Sequence, residues 1–284
     1  MAERDGWAEG SEEWEGWPVW ETIPGDRRKG LVLLCDHARR ATPPFYGDLG
    51  LPPEAWERHI AYDIGAEQVT RRLAGLLEAP AVLAGFSRLV VDPNRGEDDP
   101  TLVRQLYDGT VIPGNYPLSE AEREQRLRRF YRPYHAAVAA EVEAVAHACN
   151  AAPFLFSIHS FTPRLGKAPL ASAPRPWHVG VLWDSDPRAA KPLIEALRAN
   201  PSLVVGDNEP YDGALRGDTL FRHAIRRGFP HVLIEIRQDL IAHEDGARAW
   251  AERLAPIVDA INRRPDMHEA RQFGSRTGPV EGFL

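Results

Sequence analysis

Three short apolar runs in this 284-residue chain each end at a residue that can bind a metal ion or transfer a proton. The first run ends at Asp36 and His37, the second at His159 and the third at Glu235. Imidazole nitrogens and carboxylate oxygens are ligands of catalytic zinc, and a carboxylate is also a frequent general base. If the three ends meet, the chain has the side chains for metal-assisted hydrolysis. The sequence therefore predicts an enzyme with a metal centre.

A sheet of buried strands would bring these ends together. The apolar runs, residues 31–35, 154–158 and 231–234, contain β-branched members and are typical of strands buried on both faces. In open α/β sheets, ligands bind beyond the carboxyl ends of the strands. Strand and helix patterns alternate along the chain, so we predict one α/β domain whose mixed, mainly parallel sheet is covered by helices on both faces.

The predicted elements and segments have the following bounds. The predicted strands are residues 31–35, 81–85, 89–92, 154–159, 178–182, 203–205 and 232–236. The predicted helices are residues 53–59, 64–78, 119–150, 186–199, 217–227 and 246–263. Pro133 should kink or divide the third of these helices. We expect residues 1–18 to form a tryptophan-rich arm, residues 19–264 the α/β domain and residues 265–284 a polar, mobile tail.

Composition argues against several other classes of protein. The net charge of -7, from 34 basic and 41 acidic residues, disfavours nucleic acid as a partner, because phosphate binding needs a basic surface. No apolar run reaches the length of a membrane span, and the first residues lack the pattern of a signal peptide. Two cysteines, Cys35 and Cys149, do not make a disulfide framework. We expect a cytoplasmic protein with no nucleic-acid or membrane partner; its oligomeric state is not predicted.

These patterns supply two candidate ligands for a catalytic zinc site. A catalytic zinc ion usually has three protein ligands and one open position. His37 and His159 are candidates, although His159 could instead be a core histidine bonded to backbone. Asp63 could be the third ligand or could cap the helix that follows it. Asp36 is the substitute, but neighbouring strand residues point to opposite faces, so Asp36 and His37 should not both reach one ion.

Glu235 lies among Val, Leu and Ile, where a carboxylate is costly unless it is paired or functional. Burial would raise the pKa of this carboxyl group, and a nearby metal ion would lower it. Such a residue can take a proton from the attacking water and pass it to a leaving amine. The alternative is a buried ion pair with Arg237, which could also serve to hold Glu235 in place.

Arg88 and Arg95 flank an apolar run in an otherwise acidic chain. An arginine binds a carboxylate through two parallel hydrogen bonds, and the neighbouring amide of Asn94 adds a donor. These residues predict a pocket for an anionic ligand. The alternative is a pair of surface arginines bonded to the acidic residues 97–99.

The polar loop at residues 206–213 could fold over a ligand, with Asn208 or Tyr211 touching it, although such a loop is more often an ordinary connection. Other catalytic classes lack their motifs. The sequence contains no Gly-x-Ser-x-Gly nucleophile elbow, no P-loop and no glycine-rich dinucleotide fingerprint. Metal-assisted hydrolysis is therefore the chemistry that the motifs favour.

Three segments resemble the zinc carboxypeptidases in order and spacing. Residues 92–95 are similar to the Asn-Arg pair that grips a substrate carboxylate, residues 157–160 to the strand with the last zinc histidine, and residues 235–237 to the strand with the catalytic glutamate. The first motif of that superfamily, His-x-x-Glu, is absent, because Arg40 stands three residues after His37. The third ligand therefore remains open.

A closer resemblance, to the N-formylglutamate amidohydrolase family, covers most of the chain from residue 32 to residue 254. Its motifs lie in order at residues 35–38, 59–66, 87–95, 112–115, 157–163, 206–211 and 235–240. The resemblance implies a phosphorylase/hydrolase-like three-layer α/β sandwich. It also implies one zinc ion and release of formate from N-formyl-L-glutamate in histidine breakdown.

The residues and the resemblance together lead us to expect particular roles. The expected metal ligands are His37, His159 and, as the third ligand, Asp63, with Asp36 as its substitute. The expected catalytic residues are Glu235 and Arg88, and the expected substrate-binding residues are Asn94, Arg95, Asn208, Tyr211 and Arg237. The ligand would be a small N-acyl amino acid. Alternatives are a deacylase or carboxypeptidase-like hydrolase of another N-acyl amino acid, and a non-catalytic carboxylate-binding protein on the same scaffold.

Overall fold

The computed structural model describes residues 16–166 and 173–281. The strands are β1 (Trp20–Ile23), β2 (Leu31–Cys35), β3 (Ala81–Ala84), β4 (Leu106–Tyr107), β5 (Thr110–Val111), β6 (Phe154–Phe161), β7 (Val179–Leu182), β8 (Val205–Asp207) and β9 (His231–Arg237). The α-helices are α1 (Pro53–Trp56), α2 (Ala66–Leu77), α3 (Glu120–Arg126), α4 (Arg132–Cys149), α5 (Pro187–Arg198), α6 (Thr219–His223) and α7 (Glu244–Asn262). Most of the predicted arm lies outside the described residues.

Seven strands form one sheet in the order β1-β3-β2-β6-β9-β7-β8, and β4 and β5 form a separate hairpin. Strands β3, β2, β6 and β9 run parallel, β8 is parallel to β7, and β1 and β7 are antiparallel to their neighbours β3 and β9. The predicted α/β class with a mixed, mainly parallel sheet is therefore confirmed.

Side chains of the central strands point alternately into two apolar layers. In β2, Leu31 and Leu33 pack in the layer that contains α2, α5 and α7, while Val32 and Leu34 pack in the layer that contains α4. Both layers are almost fully removed from water, which is the main favourable contribution to folding. Because both faces of the sheet are covered, the carboxyl edge of the parallel strands is the place where a ligand can enter.

One predicted strand is not formed, one strand of the main sheet was not predicted, and one predicted helix is divided as expected. Residues 89–92 form a buried turn rather than a strand, because their apolar side chains fill the core without pairing to the sheet. Strand β1 was not predicted, since its alternately exposed residues lack a continuous apolar run. The long helix at 119–150 is divided, as the position of Pro133 predicts, by a π-helical segment at Leu127–Tyr131.

Residues 265–281, placed in the predicted tail, contact the domain. Met267 is fully buried in the layer of α5 and α7. Arg276 donates hydrogen bonds to the carbonyl oxygens of Trp183 and Asp184 and to the carboxylate of Asp212. Within residues 16–166 and 173–281, no helix has the length and apolarity needed to cross a membrane.

Candidate metal centre and active site

The carboxyl ends of β2, β6 and β9 lie side by side and carry the three residues that the sequence singled out. His159 of β6 is paired in register with Glu235 of β9, so both side chains project from the same face of the sheet. His37 lies two residues beyond β2. Asp63 is brought to His37 by a hydrogen bond from its backbone N–H to the His37 carbonyl oxygen, 2.9 Å long.

His37, Asp63 and His159 form a buried group whose possible ligand atoms all lie within 4.8 Å of one another. The Nδ1 atoms of His37 and His159 are 3.2 Å and 2.8 Å from Oδ2 of Asp63. Two imidazole nitrogens and one carboxylate are a donor set that suits a catalytic zinc ion. The residues present therefore fit the metal that the family resemblance implies.

A second carboxylate stands behind each of the two histidines. Nε2 of His37 is 2.7 Å from Oδ1 of Asp92, and Nε2 of His159 is 3.2 Å from Oδ2 of Asp36. When a carboxylate accepts the Nε2 proton, Nδ1 is left as the lone-pair nitrogen, and the ring is fixed in orientation. Both histidines thus present the same nitrogen to the side where Asp63 lies.

Asp36 lies on the far side of His159 and is not one of the three grouped residues. Its carboxylate accepts hydrogen bonds from Tyr134 Oη at 2.8 Å and Thr219 Oγ1 at 2.7 Å. Burial alone would raise the pKa of Asp36, but the hydrogen bond and charge of His159 lower it to about 2. Asp36 is therefore a charged partner that orients His159.

Asp63 does not cap the following helix, which was its alternative role. Helix α2 begins after Gly65 and has no side-chain cap. The Asp63 carboxylate instead accepts hydrogen bonds from Arg88 Nη1 at 3.1 Å and from the Ser160 backbone N–H at 3.3 Å, besides its two contacts with histidine. Burial alone would raise the pKa of Asp63, but the charge of His37, the hydrogen bonds with both histidines and the charge of Arg88 lower it, so Asp63 stays a charged acceptor.

Arg88 donates hydrogen bonds to two carboxylates, both of which contact His37. Its Nη1 donates to Asp63 and its Nη2 donates to Asp92, each at 3.1 Å. The guanidinium is buried, and its Nε has no hydrogen-bond partner among the described residues. One fixed positive charge therefore offsets two buried carboxylates at the wall of the site.

Glu235 is 8% exposed, and its Oε2 has no hydrogen-bond partner among the described residues. Burial raises the pKa of Glu235 to about 8; the negative charge of Asp63 acts in the same direction, and the charge of His159 opposes it. The predicted pair with Arg237 is absent, because Arg237 donates to Asp239 at 2.8 Å. Glu235 is thus a buried carboxyl group free to gain or lose a proton.

This pKa predicts how stability depends on pH once divalent ions are removed with a chelator. Between the ordinary value of 4.5 and about 8, the folded protein keeps the Glu235 proton that the unfolded chain has released. The free energy of unfolding should therefore fall as pH rises through this window, by at most about 1.4 kcal/mol per pH unit for this one group. Urea unfolding of the wild type and of Glu235→Gln measures it, since the variant lacks this contribution. If the free energies of unfolding of the two proteins changed with pH in parallel, the assigned burial of Glu235 would be contradicted.

The grouped residues His37, Asp63 and His159 line a cavity of about 360 Å³ together with Arg88 and Glu235. Of the predicted site residues, the lining includes His37, Asp63, Arg88, Asn94, Arg95, His159, Tyr211 and Glu235. Asn208 and Arg237 are not part of it. Asn208 accepts backbone hydrogen bonds from Trp183 and Gly213 through Oδ1, so it shapes the loop rather than the cavity wall.

Asn94 and Arg95 reach the cavity from the turn that follows Asp92. Oδ1 of Asn94 accepts the Thr219 backbone N–H at 3.2 Å, which directs its Nδ2 group away from that contact. Arg95 donates to the Asn94 carbonyl oxygen at 2.7 Å and lies 3.9 Å from Asp99. The arginine is only partly neutralised, so an anionic ligand can approach it.

Sequence reasoning missed Asp92, Arg104, Tyr107 and Asp218 as parts of the site. Asp92 was placed only at the end of the predicted strand at residues 89–92, although its place in the motif at 87–95 was a signal. Asp218 lines the cavity and accepts the Phe221 backbone N–H, and burial raises the pKa of its carboxyl group to about 7. Tyr107 lies in the β4–β5 hairpin and Arg104 lies just before it, and the sequence of this hairpin showed no strand pattern.

Comparison with known proteins identifies the family of this chain. A family model for N-formylglutamate amidohydrolase matches residues 29–242. An N-formylglutamate deformylase of Pseudomonas putida is 30% identical over 227 residues, which cover 74% of this chain and 79% of that protein.

Solved structures with the same fold include a gene product of Agrobacterium tumefaciens and an N-formylglutamate amidohydrolase of Ralstonia eutropha. The first has a TM-score of 0.77 and 34% identity, over 86% of this chain and 94% of its own. The second has a TM-score of 0.59 and 21% identity, over 86% and 97%, and supports the fold alone. Since the family model spans well over half of the sequence, the chain belongs to the N-formylglutamate amidohydrolase family of amide hydrolases.

Proposed function

We propose that this protein is a zinc-dependent amidohydrolase that converts N-formyl-L-glutamate and water to L-glutamate and formate, a reaction of histidine breakdown. The observation that carries the proposal is the buried group of His37, Asp63 and His159 in one cavity with the unpaired carboxyl group of Glu235. The family model and the name of the Pseudomonas putida relative support this choice of substrate.

His37, Asp63 and His159 would hold the metal ion, through the two Nδ1 atoms and the Asp63 carboxylate. A divalent ion held there would act as a Lewis acid on the amide carbonyl and make the attacking water more acidic. Asp36 and Asp92 keep the two imidazoles in the orientation and tautomer that metal binding requires.

Glu235 is the proposed general base and then the general acid. In its carboxylate form, which the positive charge of a metal ion held nearby would favour, the unpaired Oε2 takes a proton from the water that attacks the formyl carbon. As the C–N bond breaks, the same oxygen returns a proton to the departing nitrogen, which leaves as the amine of glutamate. Arg88 lies beside these groups and stabilises negative charge that develops on the carbonyl oxygen.

Asn94 and Arg95 are proposed to bind the α-carboxylate of the substrate, which fixes the amide that reaches the catalytic groups. Tyr211 forms part of the cavity wall, and its hydroxyl accepts a hydrogen bond from Arg175 at 2.9 Å. Its proposed role is contact with the bound ligand. Since Asn208 and Arg237 lie away from the cavity lining, neither is proposed to touch the substrate.

A formate-release assay tests the function. We expect purified protein with added zinc to release formate from N-formyl-L-glutamate, and to hydrolyse N-acetyl-L-glutamate at least about tenfold less efficiently, because an added methyl group must fit the acyl site. Kinetics on both substrates, and on the formyl derivatives of other amino acids, measure this. Faster hydrolysis of the acetyl compound would indicate a general deacylase, and tight binding without turnover would indicate a non-catalytic carboxylate-binding protein.

A further inference from the structure

Arg104 lines the cavity, and its guanidinium makes no ion pair or hydrogen bond with the rest of the described chain. The other two arginines in the lining behave differently. Arg88 is bound to two carboxylates, and Arg95 is bound to a carbonyl oxygen with Asp99 nearby. Arg104 is therefore the cavity arginine with the most unused hydrogen-bonding capacity.

The position of Arg104 is nevertheless fixed. Its guanidinium lies over the ring of Tyr107, 4.2 Å from the centroid, in a cation–π contact. Its backbone carbonyl accepts a hydrogen bond from Nδ2 of the buried Asn115 at 2.8 Å, and Arg126 in turn holds the Asn115 side chain. An arginine held in advance loses less conformational entropy when it binds a ligand.

The surroundings of Arg104 favour an anion. Burial lowers its pKa, and the positive charges of Arg88 and Arg95 act in the same direction, although Tyr107 and Asp92 oppose them. A partly buried cation beside two others is costly unless an acceptor of opposite charge reaches it. A carboxylate matches the two parallel donors of a guanidinium.

We infer that Arg104 binds the side-chain carboxylate of the substrate and selects acidic N-acyl amino acids over neutral ones. This inference rests on the proposed function, in which Asn94 and Arg95 take the α-carboxylate. A glutamate derivative has two carboxylates, and the second requires a second cationic partner in the same cavity. Arg104 supplies it without breaking any bond within the described residues.

The test compares N-formyl-L-glutamate with N-formyl-L-glutamine, which has nearly the same shape and no side-chain charge. The wild type should prefer the glutamate compound in kcat/KM by roughly 10- to 150-fold, the range for a hydrogen bond to a charged group. In Arg104→Met this ratio should fall towards one, mainly through a higher KM for the glutamate compound. Arg104→Lys keeps a charge but loses the paired donors, so its ratio should lie between the other two.

Arg248→Met is the matched control, because Arg248 is an exposed arginine paired with Asp245 on α7. It should keep the wild-type ratio. If Arg104→Met keeps the wild-type preference in kcat/KM for the glutamate compound, the inference is overturned. If Arg104→Met does not fold, the same result in Arg104→Lys overturns it.

Calorimetry separates failure of this inference from failure of the proposed function. Wild-type protein should bind L-glutamate more tightly than L-glutamine, and Arg104→Met should lose that preference. If the wild type releases no formate but shows this Arg104-dependent preference, the proposed function fails and the inference stands. If the wild type releases formate and Arg104→Met keeps the preference for the glutamate compound in both kcat/KM and binding, the inference fails and the proposed function stands.

Discussion

We expect the Glu235→Gln substitution to lower kcat for amide hydrolysis by at least about a hundredfold, the lower end of what general acid–base catalysis contributes. Glutamine has nearly the same shape as the protonated carboxyl group, but it can neither accept the proton of the attacking water nor return it to the leaving nitrogen. Steady-state kinetics on N-formyl-L-glutamate at fixed zinc concentration measure the effect.

The fold and the metal should survive this change. Burial already favours the neutral form of Glu235, so a neutral amide should not destabilise the protein, and the residue is not one of the three grouped metal-binding candidates. Zinc content should therefore match the wild type, and thermal unfolding should show no loss of stability. Asp239→Asn is the control, because Asp239 follows β9 but pairs with Arg237 at the surface. Near-normal turnover in Glu235→Gln would remove the residue from the mechanism.

The positions of His37, His159 and Glu235 could be predicted because a simple physical rule connects them. Buried apolar runs form parallel central strands, and the carboxyl ends of such strands meet at one edge of the sheet. The observed neighbours β2, β6 and β9 follow this rule. The alternating rule for strand faces also placed Asp36 away from the group that contains His37.

The partners of these residues could not be predicted in the same way. Asp92 reaches His37 across 55 residues of sequence, and Asp36 reaches His159 across 123, so both contacts depend on how the whole sheet folds. The run at residues 89–92 has the composition of a strand, but its apolar side chains pack in the core from a turn. Arg104 was missed because a single arginine near a short hairpin belongs to no motif that the sequence displays.

The substitution Asp63→Asn should abolish stoichiometric zinc binding and reduce turnover by more than about a hundredfold, whereas Asp36→Asn should weaken zinc binding by only about 10- to 100-fold. Both residues are buried aspartates in contact with His159, but on opposite ring nitrogens. Asp63 is grouped with the two Nδ1 atoms, so its loss removes a ligand. Asp36 is bonded to Nε2, so its loss only releases the orientation of the ring.

Zinc content by elemental analysis and zinc affinity by competition with a chromophoric chelator distinguish the two variants. Each change also breaks a buried network, at a cost of about 3–5 kcal/mol in the free energy of unfolding when a charged partner is left alone. Because that cost falls on both variants, unfolding curves serve as the control for folding. The difference in zinc affinity between equally folded variants then shows which aspartate is the third metal ligand. A greater loss of zinc in Asp36→Asn than in Asp63→Asn would make Asp36 the third ligand and assign Asp63 to the support of Arg88.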